Sequence, residues 1–267
     1  MEELPKSEIL LIDKPAGVSS FGVVARVRRK LSEEAGYVEV RGKDGVVRQK
    51  RRKVKVGHTG TLDPFATGLL ILLVGKETKR ANEFLKLDKE YIATLRLGEI
   101  STTGDSEGER MVVFSGEDST ESGFCFDDRL EAGLNNPIFY GKIPERIAQE
   151  KPNKEAVEKC VESLVGENWQ TVPAFSAVKI DGKRAYKLAR EGKMVEMPRR
   201  KIKIYEIEVL EYEWPELTIR CRVSSGTYIR ALGEDIGKML GTGAYLTALR
   251  RTQVGVYRVE EAEKIEW

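Results

Sequence analysis

The chain has 267 residues, and its 40% hydrophobic and 33% charged content allows a sizeable core under a charged surface, which excludes disorder throughout. Its 45 Lys and Arg residues nearly balance 43 Asp and Glu residues, which leaves a formal net charge of +2. The longest purely apolar run, Leu69 to Val74, is too short to cross a bilayer, so no membrane association is predicted.

Apolar runs and amphipathic stretches alternate irregularly along the chain. In chain order they predict a strand at 8–13, a helix from 20 to about 31, a strand at 69–74, a helix from 77 to about 87, a strand at 91–97, a helix at 153–164, strands at 174–180 and 217–223, and a helix at 227–240. Ser19 or Ser20 is expected to cap the first helix, whose apolar face includes Phe21 and Val24, and Asn153 is expected to cap the third. Residues 33–53, rich in Glu, Gly, Lys and Arg, are predicted to form an inserted flexible loop.

This mixture of elements, without regular strand–helix–strand order, predicts an α+β fold around a largely antiparallel sheet. The chain contains no internal repeat and no long linker, so a single domain spanning residues 1–267 is expected. Three widely spaced cysteines and one histidine, His58, argue against a disulfide framework and exclude multi-histidine metal sites. Neither common Gly-rich nucleotide-binding motif occurs and no signal peptide is visible, so we expect no cofactor, no metal and a cytoplasmic location.

The near-neutral total charge conceals a strong split along the chain. Residues 41–55 contain eight basic residues and one acidic residue, and residues 179–203 contain ten basic and three acidic residues. Residues 99–131 contain ten acidic and two basic residues. Basic runs of this density attract polyanions such as nucleic acid, although a solvated surface loop without a partner explains a single run equally well.

The densest special chemistry lies in residues 57–70, G-H-T-G-T-L-D-P-F-A-T-G-L-L. Three glycines and a proline make this a tight loop that leads into an apolar strand, a common place for catalytic groups. Asp63 precedes Pro64, which favours an extended backbone and a fixed direction for the carboxylate. From these residues alone, Asp63 could equally be a turn residue and His58 a polar group near the core.

The segment closely resembles the catalytic motif of the TruB-type pseudouridine synthases, G-H-[ST]-G-T-L-D-P-x-A-[ST]-G-[LV]-L. Five further segments resemble motifs of the same family: residues 14–20 (K-P-x-G-x-[ST]-S), 89–91 (K-x-Y), 97–108 (L-G-x-x-[ST]-x-T-x-D-x-x-G), 173–186 (P-x-[YF]-S-A-x-K-x-x-G-x-x-[AL]-Y) and 224–230 ([SG]-x-G-T-Y-I-R), with L-R-R at 249–251. The resemblance implies a pseudouridine synthase fold, with helices and loops flanking the sheet around an RNA-binding cleft. It implies an enzyme that isomerises a uridine, at position 55 in the T-loop of tRNA, without a cofactor.

The resemblance also implies roles for individual residues. Asp63 is the catalytic carboxylate, which either attacks C1′ or removes a ribose proton, and Arg230 is its charge partner. Tyr91 stacks on the target base, and His58 fills the space that the flipped base leaves. The alternatives are a packed strand position for Tyr91 and a surface position for Arg230, paired with Glu234. The weaker candidates are predicted RNA contacts: Lys14, Lys50, Arg51, Arg52, Lys179 and Arg184.

The chain departs from the family pattern in two places. It has longer segments at about 33–53 and 114–152, and it stops sixteen residues after Arg251, so no C-terminal RNA-binding PUA domain is expected. The expected partner is the T-arm of tRNA, bound by a monomer without an obligate protein partner. Two other functions remain open: a dyskerin-like synthase guided by a small RNA, and a non-catalytic protein that binds or folds tRNA.

Overall fold

The computed structural model describes residues 7–41, 43–44, 46–115, 124–125, 138–141, 151–193 and 196–265. Its strands are β1 (Ile9–Lys14), β2 (Tyr37–Arg41), β3 (Val47–Arg51), β4 (Val56–His58), β5 (Thr67–Val74), β6 (Lys89–Leu97), β7 (Glu99–Ser101), β8 (Arg110–Ser115), β9 (Phe124–Cys125), β10 (Ile138–Gly141), β11 (Gly166–Thr171), β12 (Lys179–Ile180), β13 (Lys183–Arg184), β14 (Arg199–Glu213), β15 (Glu216–Val223), β16 (Ala244–Val254), β17 (Tyr257–Arg258) and β18 (Glu263–Lys264). Its α-helices are α1 (Ser20–Glu34), α2 (Ala81–Leu85), α3 (Lys154–Glu162), α4 (Ala185–Arg190) and α5 (Ile229–Met239), and short 3-10 helices cover Gly75–Arg80 and Val259–Glu261.

The chain divides into two compact units. The first unit comprises Met1–Lys89 and Arg250–Trp267, and the second comprises Glu90–Leu249. Both units combine strands with helices, which confirms the predicted α+β class. Most of the predicted insertion at 114–152 lies outside the described residues.

The first unit is built on β5, whose residues Gly68 to Val74 are all buried. Strand β1 pairs antiparallel with one edge of β5, and the other edge carries β4, antiparallel, and the end of β16, parallel. β18 pairs in parallel with β1. Because β5 is buried along both faces, it is a continuous apolar run without alternation, as such strands usually are.

Helix α1 packs its valines inward and begins where the sequence predicts. The Ser19 side chain accepts a hydrogen bond from the Gly22 N–H at 3.0 Å and so caps the helix. Val23, Val24 and Val27 are buried, whereas Phe21 is 64% exposed. The predicted apolar face was therefore wrong at Phe21, which points to solvent, while Val23 takes an inward position.

Residues 33–53 do not form a flexible loop, and this prediction was wrong. The helix continues to Glu34, and β2 and β3 then form an antiparallel hairpin in which Tyr37 lies opposite Arg51. At its turn, Asp44 accepts hydrogen bonds from the Val46 N–H and from the Arg48 guanidinium. Most residues of this two-stranded ribbon are exposed, so its sequence lacks the alternating buried positions by which a strand is usually recognised.

The second unit contains a sheet in the order β11–β14–β15–β6–β16 and a smaller sheet in the order β7–β8–β10–β9. The fifteen-residue strand β14, for which no strand was predicted, pairs antiparallel with β11 and β15. Helices α3 and α5 confirm the predicted helices, and Asn153 caps α3 through a bond from the Ala156 N–H.

The strand predicted at 174–180 is largely wrong. Only Lys179–Ile180 is a strand, and it pairs with Lys183–Arg184 across a turn in which both Asp181 and Gly182 have positive φ. The carbonyls of Phe175 and Ser176 instead accept hydrogen bonds from Arg230 and from the Tyr186 N–H. In the part of the chain that the structure describes, no helix is long and apolar enough to cross a membrane.

Candidate active site

The motif at 57–70 forms the connection between two paired antiparallel strands of the first unit. β4 ends at His58, opposite Leu72 of β5, and the Thr59 N–H donates to the Ile71 carbonyl at 3.1 Å. A turn then closes with the Ala66 N–H donating to the Asp63 carbonyl at 3.1 Å. The sheet therefore fixes both ends of the loop, here called the Asp63 loop (residues 59–66).

Ser20 and Lys14 anchor this loop on either side of Asp63. The Ser20 hydroxyl accepts from the Leu62 N–H and donates to the Leu62 carbonyl, both at 2.8 Å. The fully buried Lys14 ammonium donates to the carbonyls of Pro15, Val18 and Pro64 at 2.9, 2.7 and 3.1 Å. Lys14 was predicted to contact RNA, but its charge points inward, so its place in the structure is that of a positioning residue.

Arg251, near the end of β16, provides a further anchor. Its side chain is buried, and its Nε donates to the Leu69 carbonyl at 2.8 Å while its Nη2 donates to the Gly60 carbonyl at 3.1 Å. Gly68 has φ +99°, and a Cβ there would overlap the Arg251 backbone, so this position requires glycine. The sequence contained Arg251 within L-R-R, but no residue pattern indicated which groups it would hold.

His58 is a half-buried side chain at the start of the Asp63 loop. Its Nδ1 accepts a long hydrogen bond, 3.4 Å, from the Gly60 N–H, which leaves the proton of the neutral ring on Nε2. Burial, and then the positive charge of Arg251, lower the pKa of His58 below its ordinary value. The imidazole is therefore neutral at pH 7, a form suited to stacking against bases.

Arg230 lies at the start of α5 in the second unit and is 5% exposed. Its Nη1 and Nη2 donate to the carbonyls of Thr103 and Phe175 at 2.7 and 2.8 Å, and its Nε lies 3.5 Å from Asp105 Oδ2. The alternative of a surface position for Arg230 was wrong, because the side chain is buried. Two segments of the second unit, residues 103–105 and the chain at Phe175, therefore set the orientation of this guanidinium.

Asp105 is the anionic partner of Arg230 and was noted in the sequence only as part of a family pattern. It is 3% exposed, and its Oδ1 accepts hydrogen bonds from the Thr103 hydroxyl at 2.6 Å and the Glu107 N–H at 3.0 Å. These bonds leave Oδ2 directed to Arg230. The T-x-D spacing, which lets a hydroxyl bond to a carboxylate two residues later, was the available signal for this role.

For the uridine isomerisation that the family resemblance implies, we expect Asp105→Asn to lower the rate about tenfold, because it removes the charge that holds Arg230, with RNA affinity nearly unchanged. Asn retains an acceptor for Thr103 and Glu107, so the loop should keep its fold. Single-turnover rates and RNA binding measured on the same protein check this expectation. A rate equal to that of the unsubstituted chain would mean that Asp105 does not position Arg230.

The remaining predicted residues are placed as follows. Tyr91 lies on the inward face of β6 and is 8% exposed, as a packed strand residue would be, and its stacking role stays a prediction. Lys179 and Arg184 are exposed on the β12–β13 hairpin, and Arg184 donates to the Ala177 carbonyl. In the first unit, Lys50 and Arg51 are exposed on β3, and Arg52 directly after it is half-buried.

The predicted catalytic residues, together with His58 as a predicted RNA contact, thus fall into two groups. Asp63 and His58 lie in the first unit, and Tyr91 and Arg230 lie in the second. Among the described residues, no cluster of three or more His, Cys, Asp or Glu side chains could hold a metal ion.

Comparison with known proteins gives consistent matches along the chain. Residues 48–122 and 138–229 match the model of the TruB family pseudouridylate synthase N-terminal domain, and residues 230–266 match the tRNA pseudouridylate synthase B C-terminal domain. The tRNA pseudouridine synthase B of Phocaeicola vulgatus is 39% identical over 261 residues, covering 98% of this chain and 91% of that protein. The corresponding protein of Bacteroides fragilis is 40% identical over 266 residues, covering 98% and 94%.

A solved structure resembles the fold as well. The chain is 26% identical to a chain in the crystal structure of a Cbf5-Nop10-Gar1 complex, with a TM-score of 0.58 over 96% of this chain. It spans only about half, 52%, of that Cbf5-complex chain, so the likeness does not extend to the whole of it. The family models and the near-full-length relatives establish that this chain belongs to the TruB family of tRNA pseudouridine synthases, isomerases that act on RNA.

Proposed function

We propose that this chain converts the T-loop uridine at position 55 of tRNA to pseudouridine, as a monomer in the cytoplasm, with tRNA as its substrate and no obligate protein partner. The observation that carries the proposal is the Asp63 loop, which Ser20, Lys14 and Arg251 hold through the backbone on both sides of one carboxylate. The names of the near-full-length relatives support tRNA as the substrate.

The reaction is an isomerisation in which the C1′–N1 bond of uridine breaks, a C1′–C5 bond forms and the C5 proton moves to solvent while N1 gains one. Asp63 starts it as the ionised carboxylate, either by attacking C1′ or by removing a ribose proton. We assign Arg230 the role that the family resemblance implies, a positive charge that favours the ionised carboxylate. Because atoms and electrons balance within the base and solvent, the proposal needs no cofactor.

The target base must leave its stack before this chemistry, at a cost of a few kcal/mol. We assign His58 to replace the lost stacking partner, because its ring is planar, half-buried and neutral. Tyr91 is assigned to stack on the flipped base. Lys50, Arg51, Arg52, Lys179 and Arg184 are assigned to RNA contact, and Lys14 is not, because its ammonium is buried.

His58→Ala is expected to slow the single-turnover reaction ten- to a hundredfold, since one base–aromatic stack contributes about 1–3 kcal/mol. His58→Phe keeps a planar ring and should recover most of the rate. The check is a single-turnover time course at saturating tRNA for both variants. Equal rates for His58→Ala and the unsubstituted chain would remove the stacking role.

A synthase that works only within a guided complex is the second candidate, favoured by the likeness to the Cbf5-Nop10-Gar1 structure. Carbodiimide mapping of pseudouridine in an unmodified tRNA transcript, after incubation with the pure chain, separates the candidates. Modification at the T-loop uridine without a guide supports the stand-alone enzyme. Modification that requires a guide supports the second candidate, and binding without modification supports a non-catalytic tRNA-binding protein.

A further inference from the structure

A basic groove lies within the first unit, between helix α1 and the chain that follows the β2–β3 hairpin. Its volume is about 650 Å³. Its lining consists of Ala25, Arg28, Arg29, Ser32, Lys50, Arg51, Arg52 and Lys53. Two hydrogen bonds hold the segment after β3 against α1. The Val54 N–H donates to the Ser32 hydroxyl at 3.2 Å, and the Arg52 N–H donates at 2.9 Å to the carbonyl of Gly36, which follows the helix.

The groove concentrates positive charge with little compensation. Arg51 pairs with Glu33 at 3.2 Å. In the part of the chain that the structure describes, Arg28, Arg29, Lys50 and Lys53 form no ion pair, and all four are exposed. Like charges gathered on one surface repel each other, and a polyanion such as a phosphate backbone relieves that repulsion.

Two aromatic rings stand exposed beside these cations. Phe21 is 64% exposed and the Arg28 guanidinium carbon lies 6.0 Å from its ring centre, while Tyr37 is 60% exposed and Arg51 lies 6.0 Å from its ring centre. Exposed rings next to arginines are the surfaces on which unpaired RNA bases stack. This pairing of rings with cations favours RNA over a membrane or an acidic protein.

The groove is also close to the Asp63 loop. The first residue of α1, Ser20, is bonded to Leu62 in that loop. With a rise of about 1.5 Å per helical residue, Arg28 and Ser32 lie roughly 12 and 18 Å along the helix from Ser20. At about 3.4 Å per stacked nucleotide, this length corresponds to roughly four or five nucleotides of one strand.

We propose that this groove and its two rings form a second RNA-binding surface, which holds the phosphates of the strand next to the target uridine and stacks one unpaired base on Phe21 or Tyr37. The identity of the ligand rests on the proposed function. Lys50 to Lys53 were predicted from the sequence to contact RNA, and the groove places Arg28 and Arg29 beside them, with the two rings next to Arg28 and Arg51.

The test compares two double variants, Arg28→Glu with Arg29→Glu and Phe21→Ala with Tyr37→Ala. The matched control is Lys79→Glu with Lys86→Glu, which makes the same charge change at exposed positions of the same unit. All are made in the Asp63→Asn background, so that the RNA stays unmodified. The probe is an unmodified tRNA transcript, and its dissociation constant is measured against salt concentration, with thermal unfolding checked for each variant.

The Arg28/Arg29 variant should weaken binding at least about tenfold relative to the control. The slope of the dissociation constant against salt concentration, both as logarithms, should fall by the equivalent of about one to two phosphate contacts. The Phe21/Tyr37 variant should weaken binding about tenfold with the salt slope unchanged. Binding equal to the control in both variants would overturn the proposal, as would tighter binding to anionic lipid vesicles than to tRNA.

These outcomes are separable from failure of the proposed function. If the unsubstituted chain modifies no RNA but the variants still lose tRNA binding, the surface stands and the catalytic proposal fails. If the unsubstituted chain forms pseudouridine but both variants bind like the control, the surface fails and the catalytic proposal stands.

Discussion

Asp63→Asn is expected to abolish pseudouridine formation, a loss of roughly 10⁴-fold or more, at the upper range for a positioned acid or base. The amide has nearly the shape of the carboxylate but can neither attack C1′ nor remove a proton. The backbone contacts that hold the loop, from the Leu62 and Pro64 peptides to Ser20 and Lys14, do not involve the carboxylate and should persist. Binding of tRNA should therefore survive.

Glu260→Gln is the matched control, because Glu260 is an exposed carboxylate of the same unit, outside the Asp63 loop and the basic groove. It should leave both turnover and tRNA binding unchanged. The measurement is pseudouridine formed per tRNA over several hours, together with the dissociation constant. Retained turnover by Asp63→Asn would show that another group starts the reaction.

Arg251→Gln is expected to lower the single-turnover rate about a hundredfold, although Arg251 is assigned no contact with the substrate. The substitution removes the guanidinium fork that bridges the Gly60 and Leu69 carbonyls, and each buried acceptor left unpaired costs about 1–3 kcal/mol. The released Asp63 loop would hold its carboxylate less well, and small misplacements of reacting groups are expensive in rate. Thermal stability should fall as well.

The effect of Arg251→Gln on the Asp63 loop can be followed at His58, because the chain contains a single histidine. His58 gives the only imidazole signals in an NMR spectrum of the chain, so its titration is read without assignment. Burial lowers the pKa of His58, and the charge of Arg251 lowers it further. Arg251→Gln should therefore raise that pKa, while Arg251→Lys should keep it low and still lose rate.

Arg250→Gln is the control for Arg251. Arg250 lies next to Arg251 on β16, is 40% exposed and donates two hydrogen bonds to Asp13, which is 13% exposed. Arg250→Gln should leave the pKa of His58 as it is in the unsubstituted chain, and it should change the single-turnover rate by no more than a few fold. An Arg251→Gln enzyme with the rate of the unsubstituted chain would show that the fork does not position the loop.

Features set by local chemistry could be predicted from the sequence. The caps at Ser19 and Asn153 depend on one side chain and the next turn of helix, and both form as expected. The run at 69–74 could be recognised as a buried strand because all six of its residues are apolar. The turn at Asp181 and Gly182 likewise follows from residues that tolerate positive φ.

Features that depend on contacts between distant residues could not be predicted in this way. Lys14 carries a charge and was assigned to RNA, but carbonyls up to fifty residues away along the chain draw it inside. Arg230 could be read as a surface residue until Asp105 was placed beside it. The hairpin after α1 is exposed on both faces and its sequence has no periodic pattern. The sequence therefore indicated its charged residues but not its strands.

We propose that the pure chain, without a guide or cofactor, uses Asp63 to move the glycosidic bond of the T-loop uridine from N1 to C5. Forming the C1′–C5 bond displaces the hydrogen at C5, so release of tritium from [5-³H]uridine-labelled tRNA measures this step. We predict one equivalent released per tRNA, and none when the T-loop uridine is replaced by cytidine or when Asp63 is replaced by Asn. No release by the pure chain, or undiminished release after the cytidine replacement, would contradict the claim.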